Sequence, residues 1–259
     1  MNSSELKKIT ISLLPTFLEA GKLAKSIAHR GVKITVKNDN TPVTDGDLAV
    51  DKMLREKIAF LTPNIPIISE ETVDINKENI NKIFWLIDPI DGTKEYIKKN
   101  DEYTLNASLV IDCEPVLGVI YAPEKDRLFY SFGYGNAFEI KKGVKSILNC
   151  TKKTQKGKVF ALHNSYKLTP DIFDLHKKNL VNSFIKMSSS LKFCIIAAGE
   201  ADLYAAQARA FEWDIAAGHA IVDASGGSVT THEGKKVLYG KKDYRNPAII
   251  IKRSKVLEN

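Results

Sequence analysis

Three acidic stretches carry the residues best suited to chemistry. Ser69-Glu70-Glu71 follows a short apolar run, Asp88-Pro89-Ile90-Asp91-Gly92-Thr93 follows a longer one, and Trp213-Asp214 opens an apolar helical pattern. Taken singly, each has an ordinary structural explanation. A Glu pair after a strand is usually a solvated loop, Asp-Pro and Asp-Gly mark turns, and Asp214 is placed to cap a helix. Taken together they predict something else. Asp88 is expected to end a buried strand with Asp91 one turn later, and Glu70, at a neighbouring strand end, can converge on the same point. Clustered carboxylates repel one another unless cations neutralise them. Hard oxygen ligands select Mg²⁺, which completes its shell with water and substrate phosphate. Gly92 and Thr93 would present free backbone N–H groups at a helix N-terminus, where a phosphate binds. The chemistry expected is metal-assisted hydrolysis of a phosphate ester.

The elements that must position these residues follow from periodicity. Leu6, Ile9, Leu13, Phe17, Ala20, Ala24 and Ile27 recur at helical spacing and predict a long amphipathic first helix, kinked at Pro15. After a polar stretch over 37–41, a second helix is expected to start near Asp47, with Val50, Leu54, Ile58 and Leu61 on one face. Strands are predicted over 65–68 and 83–87, and then over 104–111, 116–121, 128–130 and 137–140 at hairpin-like spacing, an antiparallel sheet beside the two helices. Residues 141–158 read as Lys-rich and less structured, which places a domain boundary near 145–155, with units 1–148 and 149–259. Beyond it a strand (159–162), helices (169–179 and 191–198), a strand (203–206), a helix (214–224) stopped by Gly226-Gly227 and a strand (228–231) alternate as α/β. The fold class expected is α+β with an α/β second half.

Composition excludes several classes. The 259 residues are 44% hydrophobic and 27% charged, an ordinary globular mixture that rules out a disordered chain or a small disulfide scaffold. No apolar run approaches the ~18 residues of a membrane span, which leaves peripheral membrane association open. The net charge is +7, yet the 38 basic residues are 32 Lys and 6 Arg, and the lysines are scattered. Nucleic-acid readout favours Arg, so a mild field attracting a small anionic, phosphorylated substrate is expected rather than a polymer. Cys113, Cys150 and Cys194 are odd in number and far apart, without a CxxC pair. That predicts a reducing, cytoplasmic setting. Monomer and homodimer both stay open.

The ordered set Glu-Glu, Asp-Pro-Ile-Asp-Gly-Thr and Trp-Asp-Ile-Ala-Ala-Gly resembles the inositol monophosphatase superfamily of Mg²⁺-dependent, lithium-sensitive phosphatases. Within it, Gly92-Thr93-Lys94-Glu95-Tyr96-Ile97, Tyr121-Ala122-Pro123, Ser189-Ser190-Leu191-Lys192-Phe193-Cys194 and Ala217-Gly218-His219-Ala220 are similar to the 3'(2'),5'-bisphosphate nucleotidase branch, whose substrate is 3'-phosphoadenosine 5'-phosphate. The resemblance implies a layered αβαβα sandwich with the site between its halves. It implies that Glu70, Asp88, the Ile90 carbonyl, Asp91 and Asp214 hold two or three Mg²⁺ ions. Thr93 with Asp47 would orient the attacking water, with Glu70 assisting. Gly92, Thr93, Ser189, Ser190, Lys192, Arg209 and Asp214 would sit near the substrate. For the Ser189–Lys192 stretch a helix N-cap with a surface lysine is the structural alternative.

One segment departs from the branch. An Arg-x-Gly-Pro-Thr element is expected before Trp213, and residues 206–212 read Ala-Gln-Ala-Arg-Ala-Phe-Glu instead. Arg209 is the candidate replacement for the missing charge, and an inositol or sugar phosphate is the alternative substrate. An aspartyl-phosphate phosphatase would need D-x-D-G-T, with the nucleophile two residues before its partner; Asp88 precedes Asp91 by three. A Mg²⁺-dependent binding or regulatory protein is the non-enzymatic alternative.

Overall fold

A computed structural model describes residues 1–37, 41–75, 81–151 and 158–253. Helix α1 (Ser3–Arg30) opens on a capping box, in which Asn2 and Glu5 exchange backbone-to-side-chain hydrogen bonds of 2.8 and 3.0 Å. It is a single helical element that runs through Pro15. A small hairpin, β1 (Ile34–Val36) and β2 (Pro42–Thr44), leads into α2 (Asp45–Leu61), which starts two residues before the expected position because Thr44 is the N-cap. Next come β3 (Ile67–Ser69), β4 (Ile83–Asp91), the short helix α3 (Thr93–Ile97), β5 (Thr104–Ile111), β6 (Glu114–Ala122), β7 (Arg127–Phe132), β8 (Ala137–Lys141) and β9 (Val144–Ile147). β3 to β9 form one seven-stranded sheet in chain order, antiparallel except for the parallel β3–β4 pair. β9 falls in the stretch expected to be less structured, which corrects that expectation over 144–147; residues 152–157 of the same stretch lie outside the described residues, as do 38–40 of the polar stretch before α2.

The rest of the chain gives β10 (Val159–His163), α4 (Pro170–Lys178), β11 (Val181–Lys186), α5 (Leu191–Ala197), β12 (Leu203–Ala206), α6 (Glu212–Ala224), β13 (Ser228–Thr231) and β14 (Ile249–Lys252). These strands form a five-stranded mixed sheet, β11-β10-β12-β14-β13. Side-chain alternation along β4 to β7 sorts the core into layers. Trp85, Ile87, Leu105, Ala107, Val119 and Tyr130 pack against α1 and α2. Phe84, Leu86, Val110, Ile120 and Phe129 face the other way, against α5 and α6. Those helices are covered in turn by the second sheet, and α4 closes its far side through Ile172 against Ala161, Leu203 and Ile250. The result is the layered αβαβα sandwich. α6 lies so close to β6 that a Cβ on Gly118 would run into the Ala217 carbonyl, so glycine is required at that crossing. Among the described residues no helix is long and apolar enough to cross a membrane.

Candidate active site

β4 does not end at Asp88. It runs on to Asp91 through a bulge: Asp88 pairs with Asn106 and Asp91 with Thr104, three steps on β4 against two on β5. Pro89, which has no N–H to donate, sits in the irregular stretch where such a residue is tolerated. The extra residue has a geometric consequence. Strict alternation would send Asp88 and Asp91 to opposite faces, whereas the bulge places both across from Asn106 and Thr104, which share a face. That is the face of Phe84 and Leu86, on which α6 packs. Gly92 then turns the chain in the left-handed conformation (φ 91°), which favours glycine, and α3 begins at Thr93.

α6 brings the third acidic stretch to the same place. It starts at Glu212, so Asp214 is the third residue of its first turn and not the cap. Its carboxylate accepts the Phe211 N–H at 2.7 Å. Glu70, just beyond β3, is docked by its N–H on the Ile87 carbonyl (3.1 Å). Carboxylate oxygens of Glu70, Asp88 and Asp214 consequently lie within 4.8 Å of one another. Asp91 lies beside this group, held by the Ser190 N–H at 2.5 Å, and the Ile90 carbonyl oxygen lies 3.2 Å from the Thr93 hydroxyl oxygen.

The electrostatics of the group are strained. Asp88 is 1% exposed, and its Oδ1 is buried without a hydrogen-bond partner. Burial, then the charges of Glu70, Asp91 and Asp214, push its pKa well above the carboxylate range. Asp214 is pushed up in the same way by burial, Asp91 and Glu70. Glu70 and Asp91 are also raised, chiefly by burial, with Lys37 opposing the rise at Glu70 and Lys192 at Asp91. Converging oxygens, an unpartnered buried carboxylate atom and mutual repulsion are what a divalent cation relieves, and an all-oxygen set suits Mg²⁺. The residues present fit the ion.

Beside the carboxylates stands a second pair. Asp47, third in α2, accepts from the Thr44 N–H (2.8 Å) and hydroxyl (2.5 Å), while its other oxygen lies 3.3 Å from the Thr93 hydroxyl. Capping and contact with Thr93 are thus combined in one residue. Burial, only partly offset by Thr44, raises its pKa to about 6. Glu70, Asp91, Gly92, Thr93, Ser189, Ser190, Lys192, Arg209 and Asp214 all line one cleft of about 540 Å³, within the usual range for a small-molecule site.

The alternative of a surface lysine at 192 is overturned. Lys192 is 5% exposed, donates to the Ser189 carbonyl at 2.5 Å and lies over the Tyr204 ring. Burial lowers its pKa to about 8 against the opposing pull of Asp91. Ser190 precedes α5 without capping it through its side chain; its hydroxyl joins Thr104 and Asn106, each at 2.8 Å. Arg209 is exposed at the cleft edge, with Asn164 accepting from its guanidinium and Arg245 donating to its carbonyl at 2.9 Å. The solvated-loop explanation of Glu70-Glu71 also fails, since Lys37 bridges the two at 3.2 and 2.8 Å and the Glu71 side chain is only 4% exposed. Burial raises Glu71 to about 7, while the two carboxylates hold Lys37 above its ordinary value in spite of its own burial. Nothing in the sequence marks Lys37, whose partners lie more than thirty residues away. Asn106 was detectable as one of the polar residues Thr104, Asn106 and Ser108 alternating with Leu105, Ala107 and Leu109. His219 is held by the Tyr239 hydroxyl (2.9 Å) and Asp223 (3.1 Å), in keeping with a structural role. The three cysteines are free.

The model of the inositol monophosphatase family matches residues 5–259. A relative from Buchnera aphidicola, named 3'(2'),5'-bisphosphate nucleotidase CysQ, is 39% identical over 231 residues, which cover 84% of this chain and 85% of the relative. The crystal structure of CysQ from Bacteroides thetaiotaomicron, described as a bacterial member of the inositol monophosphatase family, aligns with a TM-score of 0.75 at 31% identity, over 95% of this chain and 96% of that one. An IMPase/NADP phosphatase complexed with Mg²⁺ and phosphate shares the fold, with a TM-score of 0.76 at 20% identity, over 98% and 95% of the two chains.

Proposed function

The chain belongs to the inositol monophosphatase family, and from that membership we propose its reaction: removal of the 3'-phosphate of 3'-phosphoadenosine 5'-phosphate, giving AMP and phosphate, by direct attack of water. It is a phosphoric monoester hydrolase. The observation that carries the chemistry is the convergence of Glu70, Asp88 and Asp214 around an unpartnered buried Asp88 oxygen. The nucleotide specificity rests on the extent of the likeness to CysQ proteins.

We assign the metal-holding role to Glu70, Asp88, the Ile90 carbonyl, Asp91 and Asp214, for two or three Mg²⁺ ions, with lithium as an inhibitor. Bound Mg²⁺ supplies a more acidic water and neutralises charge on the phosphate in transit. The remaining work belongs to the chain. Thr93 donates its hydroxyl proton toward Asp47 and turns its oxygen lone pairs to the attacking water, which fixes that water's direction, with Glu70 assisting. Asp47, with a pKa near 6, is ionised at neutral pH and able to accept that bond. Gly92 and Thr93 face the phosphate beside Ser189 and Ser190, which pack directly against the Asp91-Gly92 turn. Lys192 and Arg209 supply the cations for a substrate carrying a second phosphate, and Arg209, a planar fork, suits that group better. Units 1–148 and 149–259 would then meet at the cleft, the second contributing Asp214. Free cysteines suit a reducing cytoplasm, for a monomer or homodimer.

The test is phosphate release by the purified protein from 3'-phosphoadenosine 5'-phosphate, inositol 1-phosphate and fructose 1,6-bisphosphate, with Mg²⁺ and with EDTA. The nucleotide should have the highest kcat/KM, and EDTA should abolish turnover. Preference for inositol 1-phosphate would overturn the nucleotide assignment while leaving the reaction class intact.

A further inference from the structure

Asp47 and Thr93 belong to different elements, α2 and α3, and meet at 3.3 Å. Their separation is fixed by a contact one step removed from both. Tyr96 is one turn beyond Thr93 in α3 and fully buried. Its hydroxyl donates to the Ala24 carbonyl of α1 at 2.7 Å, and its ring meets Tyr103 edge-on at 4.9 Å. α3 is thereby anchored to the first helix. The hydroxyl end of the ring packs against Gly46, the residue before Asp47. A Cβ at position 46 would collide with the Tyr96 hydroxyl oxygen and come within 2.7 and 2.8 Å of Cε1 and Cζ. Gly46 is not in the left-handed region, so backbone conformation does not demand glycine there. In a helix, Ala would ordinarily stabilise by about 0.5–1 kcal/mol over Gly. The glycine is needed for the aromatic ring, and the ring comes from the helix that carries Thr93.

We propose that Gly46 and Tyr96 form a positioning pair that sets the spacing between the Thr93 hydroxyl and the Asp47 carboxylate, and through it the direction of the attacking water. The inference rests on the reading of Thr93 and Asp47 as the water-orienting pair. Neither Gly46 nor Tyr96 lines the cleft. A side chain at 46 must push Tyr96, and with it α3, away from α2, which lengthens the Thr93–Asp47 contact while leaving Ser189, Ser190, Lys192 and Arg209, which are not part of α3, in place.

The experiment compares wild type, Gly46→Ala, Tyr96→Phe and the double variant on 3'-phosphoadenosine 5'-phosphate at saturating Mg²⁺, with Asp47→Asn as the control. Displacements of about 1 Å at a reacting centre cost up to roughly 100-fold. Gly46→Ala is therefore expected to lower kcat by roughly 10- to 100-fold with KM within about twofold. In the double variant the hydroxyl that meets the new methyl is gone and the ring is released from Ala24. It should recover a large part of the lost kcat, although Tyr96→Phe alone gains nothing. All variants are assayed well below the melting temperature of Gly46→Ala, with the folded fraction checked by circular dichroism, so that the loss of kcat and its rescue report position and not the amount of folded protein. The inference is overturned if Gly46→Ala keeps kcat within twofold, if KM absorbs the loss, or if the double variant is no better than the single. Unchanged kcat in Asp47→Asn would instead remove the water-orienting reading, a separate result.

Discussion

Replacing Asp88 by Asn should destroy activity and yet stabilise the metal-free protein. In the folded apoprotein the Asp88 pKa is held well above its ordinary value by burial and by Glu70, Asp91 and Asp214. A carboxylate raised in this way contributes stability that is fully present below its unfolded pKa, near 4, and is lost as pH rises through its folded pKa. Over that interval each pH unit costs the wild type about 1.4 kcal/mol relative to a side chain that needs no proton. The Asn variant should gain by up to that amount for each pH unit within the interval, an upper figure because the neighbouring carboxylates share the proton. For a chain of this length each such unit is a rise in Tm of about 3–6 °C. Melting in EDTA at pH 5.5, 6.5 and 7.5 should show the gain growing with pH. With excess Mg²⁺ the order should reverse, because the wild type, with one more charged ligand, holds the ion more tightly and binding stabilises the folded state. An Asn variant that melts below wild type in EDTA at pH 7.5, or a gain that is independent of pH, would refute the account of a repelling cluster.

Asp91→Asn and Asp214→Asn should each lower kcat by orders of magnitude in a phosphate-release assay at saturating Mg²⁺, since each removes a charge from the group facing the phosphate; near-normal turnover in either would remove that residue from the set. Thr93→Val should lower kcat more than it raises KM, the mark of an interaction made mainly in the transition state, whereas a larger effect on KM would make Thr93 a binding residue. Arg209→Ala should raise KM for 3'-phosphoadenosine 5'-phosphate by about one to two decades, the worth of a charged hydrogen bond of about 1.5–3 kcal/mol, and should hardly affect a monophosphate ester; equal losses on both would make it structural. Lys192, with its pKa near 8, should lose its charge as pH rises through that value, so KM for a bisphosphate should climb between pH 7 and 9, and a flat KM would show that the lysine stays out of binding.

How much of this was legible in the chain differs from residue to residue. Patterns that depend on near neighbours could be read directly. β5 shows its two faces in the alternation of Thr104, Asn106 and Ser108 with Leu105, Ala107 and Leu109, and the spacing of Val50, Leu54 and Ile58 gives the buried face of α2. Long-range pairings could not be read. β14 is a run of four residues whose partners, β12 and β13, lie well apart from it in the chain, so it passed unmarked although it stands in the second sheet between them. Lys37 reads as part of a polar connection until the fold brings Glu70 and Glu71 to it. Lys192 gave a partial signal, a lone cation within Leu-Lys-Phe-Cys-Ile-Ile, which a helix buried on all sides makes expensive unless it is paired.

The acidic residues themselves were legible by type, and their arrangement was not, for a physical reason. Each local rule predicts a different outcome from the one observed: Asp-Pro should turn the chain, a carboxylate ahead of an apolar helix should cap it, and a helical glycine should be replaceable by alanine. At β4 the turn signal is spent on a bulge that rotates Asp91 onto the face of Asp88. At α6 the cap position moves back to Phe211, so that Asp214, third in the helix, holds the Phe211 N–H with one oxygen and still converges on the group. At α2 the glycine yields room to an aromatic ring from the neighbouring helix. Local preference is overridden at other places too, as at Pro15 inside α1 and at Leu180, which has a φ of 54°. The three at β4, α6 and α2 gather around one cleft, and each sets a group of the proposed site where it strains the fold. The same carboxylates that lower the stability of the metal-free protein are the ones whose removal should end catalysis, so stability and activity should move in opposite directions at Asp88 and together at Gly46.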